Sequence, residues 1–385
     1  MRTTRKTLPP SRSVQCLWKT PKAPGGYRTA ISLHSHTMHS REGLDFIPRV
    51  MRKIGLVHFF FRLAERRHVV RSGRSVGYER AFWRPPLNPQ AAYNLEAGQI
   101  REKLGLQPLV SITDHDEMEA CAELRAIGIS VPYSTEWTVP YGETVFHIGV
   151  HNLPPDTAAA FDAEMARYTA QPNEELLAEI LAAFDEIEGV LVVLNHPFIN
   201  EERLDRPAHV RLLMRFLAAH GARMHALELN GLQPASDNRE VIALAEERGI
   251  PVISGGDRHC LEPNANVNLT NAATFAEFVH EVRHDHVSQV LFLPQYCESI
   301  PARYIEFIWH AVQTYPDMPG RERWVDRIFY EPYGCPGTIV PVSSEWTNGG
   351  PAVIRGFVSA VGLLAGPGMR PALRLALGQQ GEVVA

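Results

Sequence analysis

The strongest constraint on how this chain can fold is a set of histidines and carboxylates placed at the ends of separate, short, apolar runs. In chain order they are His34-Ser-His36, Thr113-Asp114-His115-Asp116, Glu136, His147, Asn195-His196-Pro197 and Asp257-Arg258-His259. The runs that lead into them are strand-like: Thr29–Leu33, Leu109–Thr113, Val131–Thr135, Val190–Leu194 and Val252–Ser254, with His147 inside Val145–Val150. Ala226–Leu229 and Gln289–Leu293 read the same way. One histidine at a strand end is ordinarily a hydrogen-bonded structural residue. Repetition on this many strands calls for a fold that gathers strand ends, and parallel strands do so because their C-terminal ends share a face. Imidazole and carboxylate are also the donors that borderline divalent cations accept.

Helical periodicity fills the gaps between the strands. Glu174–Glu188 carries Leu176, Leu177, Ile180, Leu181 and Phe184 at helical spacing. Asp237–Arg248 opens on an Asp suited to capping and stops at Gly249. Ala272–Arg283 has Thr274 as an N-cap, and Asn88–Leu104 precedes the second strand. The alternation predicts an α/β chain of βα units around a parallel sheet. Two segments break the rhythm. Residues 45–86 form an insertion rich in arginine and aromatics, with Phe59-Phe60-Phe61, Arg62, Arg66, Arg67, Arg71, Arg74, Arg80, Phe82, Trp83 and Arg84. From about Ser299 a C-terminal extension follows, helix-like over Ala302–Val312 and again near the end. The organisation expected is a basic arm over 1–27, a main domain over 28–298 and an extension over 299–385.

Composition narrows the class. Hydrophobic and charged contents of 45% and 21% are those of a globular chain, and a net charge of -5 argues against bulk attraction to nucleic acid. Cys16, Cys121, Cys260, Cys297 and Cys335 are scattered and odd in number, which reads as reduced thiols in a cytoplasmic protein. No apolar core follows the basic N-terminal residues, so neither a signal peptide nor an anchor is expected there. The apolar stretch Ala352–Leu377 is interrupted by Arg355, Arg370 and Arg374, and no membrane span is expected.

Taken together, Ile112-Thr113-Asp114-His115-Asp116 and Gly256-Asp257-Arg258-His259, supported by His34-Ser-His36-Thr37 and Asn195-His196-Pro197, resemble the polymerase and histidinol phosphatase (PHP) family of metal-dependent phosphoesterases. The likeness runs from about Arg28 to Leu293, outside the insertion. It implies a distorted (β/α)7 barrel, here with a long insertion after strand 1 and a C-terminal extension. It also implies two or three divalent cations (manganese, zinc or iron). One would take His34, His36, Glu136 and Asp257, a second Glu136, His147 and His196, and a third His115 and His259 with one more residue. The family's aspartate after His-x-His-Thr is replaced by Arg41. Glu42, one place later, or His39 are the substitutes the sequence offers. Ser32 stands where the family has an aspartate before His-x-His.

The resemblance further implies a metal-bridging hydroxide as nucleophile on a phosphomonoester, a nucleotide or an oligonucleotide end. His259 or Asp114 would protonate the leaving group, and Arg41 and Arg258 would face the phosphate. The insertion follows strand 1 and should emerge at the site face, where its arginines could gather anions and Phe82 and Trp83 could stack on a base. Its other reading is an amphipathic helix packed on the outside of the domain. Two further functional readings stay open: amide or lactone hydrolysis, and a catalytically weak metal-stabilised binding module. The extension is open to a role in oligomerisation or in completing the substrate pocket.

Overall fold

The computed structural model describes residues 12–19, 25–44, 81–200, 204–332, 334–366, 368–379 and 383, with residues 59, 62–63, 66–67, 69–70 and 73 between them. Most of the basic arm and of the arginine-rich insertion, including Phe60, Phe61, Arg71, Arg74 and Arg80, lies outside the described residues.

Numbering elements in chain order, one five-stranded sheet runs β1 (Arg12–Cys16), β12 (Ser288–Phe292), β11 (Asn266–Thr270), β2 (Thr29–Ser32), β5 (Gln107–Val110). The other runs β10 (Val252–Gly255), β9 (Ala226–Asn230), β8 (Leu191–Asn195), β7 (Thr144–Leu153), β6 (Tyr133–Tyr141). The β1–β12, β2–β5, β8–β9 and β9–β10 pairs are parallel. The β6–β7, β7–β8, β2–β11 and β11–β12 pairs are antiparallel, so the parallel sheet expected from the βα rhythm is corrected to a mixed one. The cause at β6–β7 is local. Tyr141 pairs with Thr144, which leaves only Gly142 and Glu143 to make the turn, with Gly142 at φ +62°. A link that short can only form a hairpin.

Neither sheet closes on itself. Single bridges join Ser35 to Arg258, both beyond strand ends, and His115 to Glu136 within β6. There Asp257 N–H donates to the His34 carbonyl at 2.8 Å, and His36 N–H to the Arg258 carbonyl at 2.8 Å. The chain after β2 is thereby tied to the chain after β10, and the chain after β5 to β6. Both seams lie among the histidines singled out above.

The helices are α1 (Pro89–Gln99), α2 (Glu119–Ala126), α3 (Ala158–Ala170), α4 (Glu174–Glu186), α5 (Arg206–His220), α6 (Ala235–Arg248), α7 (Phe275–Arg283), α8 (Ile300–Val312), α9 (Trp324–Arg327), α10 (Ala352–Ala365) and α11 (Arg370–Leu377). α4 forms where the apolar spacing predicts: the Asn173 side chain caps Glu175 and Leu176 N–H, and Leu177, Ile180, Leu181 and Phe184 are buried. Thr274 caps α7 by accepting from Glu277 N–H. Asp237 does not cap α6. That helix begins at Ala235 after Pro234, and Asp237 sits in its first turn, where a carboxylate meets the positive end of the helix dipole. β8 is the central support: Val192 and Leu194 pack into one apolar cluster, Leu191 and Val193 into another. Both of its faces are covered, as in a strand of a helix-flanked sheet.

A small third sheet, β14 (Val340–Pro341), β13 (Ile328–Tyr330), β4 (Ala81–Trp83), β3 (Glu42–Gly43), joins the end of the insertion to the C-terminal extension. Glu42 pairs with Trp83 and Trp83 with Ile328. Among the described residues no helix is long and apolar enough to cross a membrane.

Candidate metal centre

Glu136, 1% exposed, lies at the middle of the cluster. Its Oε2 is 2.9 Å from His34 Nε2, 3.3 Å from His36 Nε2 and 3.4 Å from His115 Nε2. Its Oε1 is 3.0 Å from His196 Nε2 and 3.5 Å from His147 Nδ1, and accepts from the Asn195 amide at 2.9 Å. Asp257 Oδ1 stands 3.5 Å from His34 Nε2 and 3.4 Å from His36 Nε2. Sets of donors close enough to share one ion are His34, His36 and Asp257; His34, Glu136 and His196; His115, Glu136 and His147; and His36, Glu42, His115 and His259. His147 and His196, which the resemblance pairs, are divided here between two sets that both include Glu136.

The donor set fits cations for a reason visible in its hydrogen bonds. His34 Nδ1 is 2.6 Å from Glu228 Oε2, so its proton belongs there and Nε2 carries a lone pair. Ser40 gives its proton to Glu42 Oε1 at 2.6 Å, so it can only accept from His36 Nδ1, 3.2 Å away. His36 Nε2 is therefore bare as well. The two bare nitrogens lie 3.1 Å apart and face the oxygens of Glu136 and Asp257. Buried lone pairs converging this way repel unless a positive charge lies among them. Burial is the largest influence on Glu136 and Asp257 and opposes their ionisation, but the surrounding histidines hold both carboxyls below the usual range. Burial likewise opposes charge on His34, yet Glu136, Glu228 and Asp257 outweigh it and raise its pKa well above the ordinary value, so a proton competes with a cation for the Nε2 lone pair. His36, buried beside His259, is pushed down to about 3.

Glu42 is the carboxylate that the sequence left open for a third ion. β3 places its Oε2 3.0 Å from His259 Nε2 and 3.4 Å from His115 Nε2. His259 Nδ1–H is held by the Asp257 carbonyl at 2.8 Å, which turns Nε2 toward Glu42. His39 goes elsewhere: its nitrogens face Glu119 and Glu123 of α2 at 3.5 and 3.1 Å.

Residues two apart on a strand would face the same way, but the two histidines of His34-x-His36 converge outside the strand. β2 ends at Ser32, and both histidines follow in a turn with His34 at φ +62°. His196 at +25° and Asp257 at +55° share that left-handed backbone, which non-glycine residues adopt at a cost and which concentrates at functional sites. Glu136 is within β6 rather than at its end.

The four residues given catalytic parts fall differently. Both Asp114 oxygens are taken by the Thr37 amide and hydroxyl, so Asp114 fixes the turn after His36; burial raises its pKa to about 6. Arg258 is buried rather than at the rim. Its guanidinium pairs with Glu96 of α1 at 2.8 Å and donates to the carbonyls of His36 and Cys260. Arg41 is exposed and lies over the Phe82 ring. His259 belongs to the donor set with Glu42. Neither aromatic lies open for base stacking: Trp83 is buried beside the His259 and Phe307 rings, and Phe82 stacks on Phe329.

Three supporting residues escaped the sequence reading. Glu228 orients His34; the signal was a glutamate inside the apolar run Ala226–Leu229. Asn230 bridges Glu228 and Asp257 at 2.7 and 3.2 Å. Asn264 binds Ser32 and the Leu33 carbonyl, each at 2.8 Å, where the resemblance expects an aspartate to act. These contacts explain Gly255 and Gly256. A Cβ at Gly255 would collide with the Glu228 carboxylate, and one at Gly256 with the Asn264 amide. Neither glycine has a positive φ, so space rather than a sharp bend is the requirement. A small recess lined by Val145, Phe146, His147, Asn195, His196 and Ile199 opens beside the cluster.

No family model matches the chain, and no curated protein does. Among solved structures it is similar to a candidate metal-dependent phosphoesterase from Bifidobacterium adolescentis, with a TM-score of 0.32 and 17% identity over 51% of this chain and 92% of that one. It is also similar to an amidohydrolase from Chromobacterium violaceum solved with bound sulfate and no metal. There the TM-score is 0.34 and the identity 16%, over 60% of this chain and 87% of that one. Likenesses this distant settle neither fold nor chemistry, and function is argued from the cluster itself.

Proposed function

We propose that the chain is a metal-dependent hydrolase of the PHP type, acting on a phosphate ester, with its two mixed sheets read as a distorted (β/α)7 barrel. The single observation that carries the reading is Glu136. One buried carboxylate faces His34, His36 and His115 with one oxygen, and His147 and His196 with the other. His34, His36 and Asp257 would hold one cation beside it, His147 and His196 with Glu136 a second, and Glu42, His115 and His259 a third. Manganese, zinc or iron, when bound there, would polarise a phosphate oxygen and lower the pKa of a water.

The protein's own part is to hold donors ready. Glu228 fixes the His34 tautomer, Ser40 that of His36, and the Asp257 carbonyl that of His259. Asp114 anchors the Thr37 amide and keeps the turn after His36 in place. Histidines and carboxylates held this firmly give up little entropy when an ion or a phosphate oxygen arrives. The phosphate-ester half of the reading draws support from the sequence motifs and from positive charge beside the cluster. A small phosphorylated molecule or a nucleotide is the substrate class proposed, and the cytoplasm the compartment.

Phosphate release from a panel of phosphomonoesters, nucleotides and short oligonucleotides tests this, with metal-loaded wild type run beside Asp257→Ala. Release by the wild type and its loss in the variant is the expected result. Bound metal without release from any member would move the reading to amide or lactone hydrolysis, or to a binding module.

A further inference from the structure

Three arginines converge next to the cluster from three separate parts of the chain. Arg84, just after β4, and Arg321, in the C-terminal extension, both donate to the Met38 carbonyl at 3.3 Å. Met38 lies between His36 and His39, in the turn that carries the donors. Arg41, immediately before Glu42, shares the Phe82 ring with Arg84: the guanidinium carbons lie 5.5 and 5.8 Å from its centroid. Arg84 also lies over Phe329, 5.4 Å away.

Stacking on an aromatic face orients a guanidinium and leaves its N–H edge free to bind. Among the described residues no carboxylate forms an ion pair with any of the three. One edge is left over even within the protein, since the Arg84 Nε is buried with no hydrogen-bond partner. Burial first, then the Arg321 and Arg41 charges, lower the pKa of Arg84, and Glu117 and Glu119 oppose this only in part. Like charges gathered beside a buried metal centre without a counter-ion are costly unless an anion completes the group.

We propose that Arg41, Arg84 and Arg321 form a subsite for a second anionic group of the substrate, separate from the phosphate held at the cluster. This rests on the metal-centre reading and narrows it: the preferred substrate carries two anionic groups, with the scissile phosphate at the metals and the other on the arginine edges. It also gives the small β3–β4–β13–β14 sheet a purpose, because that sheet brings Arg41 and Arg84 to the extension that supplies Arg321. The arginines supply position and charge and take part in no bond-making step.

The test uses metal-loaded, full-length protein and measures by calorimetry the binding of methylphosphonate and of alkane-α,ω-bisphosphonates with spacers of increasing length. Charge-assisted hydrogen bonds of ordinary strength predict that at least one spacer binds about tenfold to a hundredfold tighter than methylphosphonate. That advantage should shrink in Arg84→Gln and Arg321→Gln. It should shrink also in Arg41→Gln, whose exposed side chain makes misfolding no explanation. No advantage for any spacer, or an advantage that survives all three substitutions, would overturn the subsite. Metal content and methylphosphonate binding report on the cluster alone, so the two readings fail separately. If neither metal nor methylphosphonate binds, bisphosphonate binding abolished by the arginine variants would still uphold the subsite, and no binding would overturn it.

Discussion

Glu228 reaches His34 only because position 255 has no side chain. Gly255→Ala should therefore act on the centre at one remove. Crowding in a packed site costs about 1–3 kcal/mol, and loss of a residue that orients a metal-binding histidine weakens the ion by about tenfold to a hundredfold. Metal titration and denaturant unfolding of Gly255→Ala beside Glu228→Gln check this, and wild-type affinity in both would remove Glu228 from the account. Glu42→Gln keeps the shape of the third donor set and removes its only carboxylate, so elemental analysis should find one fewer ion than in the wild type. An unchanged count would mean that His36, His115 and His259 hold no ion with Glu42. Away from the centre, His225 offers a pH-dependent prediction. Its Nδ1 accepts from Val192 N–H and its Nε2 lies 3.0 Å from Asp185, and burial pushes its pKa down to about 4. The folded value is below the unfolded one of about 6.5, so its contribution is whole above pH 6.5 and is lost as pH falls toward 4; the loss is about 3 kcal/mol in order of magnitude. Thermal melts of wild type and His225→Asn over that window should converge at low pH, and parallel curves would contradict the assignment.

At the scale of elements, the buried Glu96–Arg258 pair ties α1 to the two segments that carry donors. Arg258 binds the carbonyls of His36 and Cys260, while Glu96 accepts from Ser32 and from the Asn264 amide. Removing one member strands a buried charge, and Glu96→Gln should cost about 3–5 kcal/mol, read by chemical denaturation. A cost below 1 kcal/mol, within the range of an exposed pair, would show that the pair does not hold these segments. Elements made of local apolar pattern were legible in the sequence: α4, β8 and β9 lie almost where periodicity puts them. β11 was not, because Asn266 and Asn268, though they keep the alternation of Asn-Val-Asn-Leu-Thr, are poor strand formers. Their amides are buried and bonded to the Leu229 carbonyl and to Ser254 and Ser288, long-range partners that no local pattern announces. The β3–β4–β13–β14 sheet was hidden for the same reason, since its strands come from distant parts of the chain. The donors themselves were legible by residue type, whereas the distinction between donors and supports, Arg258 and Asp114 above all, depended on which atoms meet.

For the molecule as a whole, the cluster makes folding and ion binding one equilibrium. Its donors come from β3, β6, β7 and the chain following β2, β5, β8 and β10, so ions join both five-stranded sheets across their seams. At a free-ion concentration a thousand times Kd, one site would stabilise the fold by about 4 kcal/mol, and exhaustive dialysis against chelator should lower Tm in proportion. The most direct test of the central claim is the number of ions per chain in wild type and in Glu136→Gln, by elemental analysis after dialysis against metal-free buffer. A centre organised on one shared carboxylate predicts at least two ions per wild-type chain and loss of more than one on that single substitution. A metal-free wild type, or a Glu136→Gln protein that keeps its full complement, would contradict it.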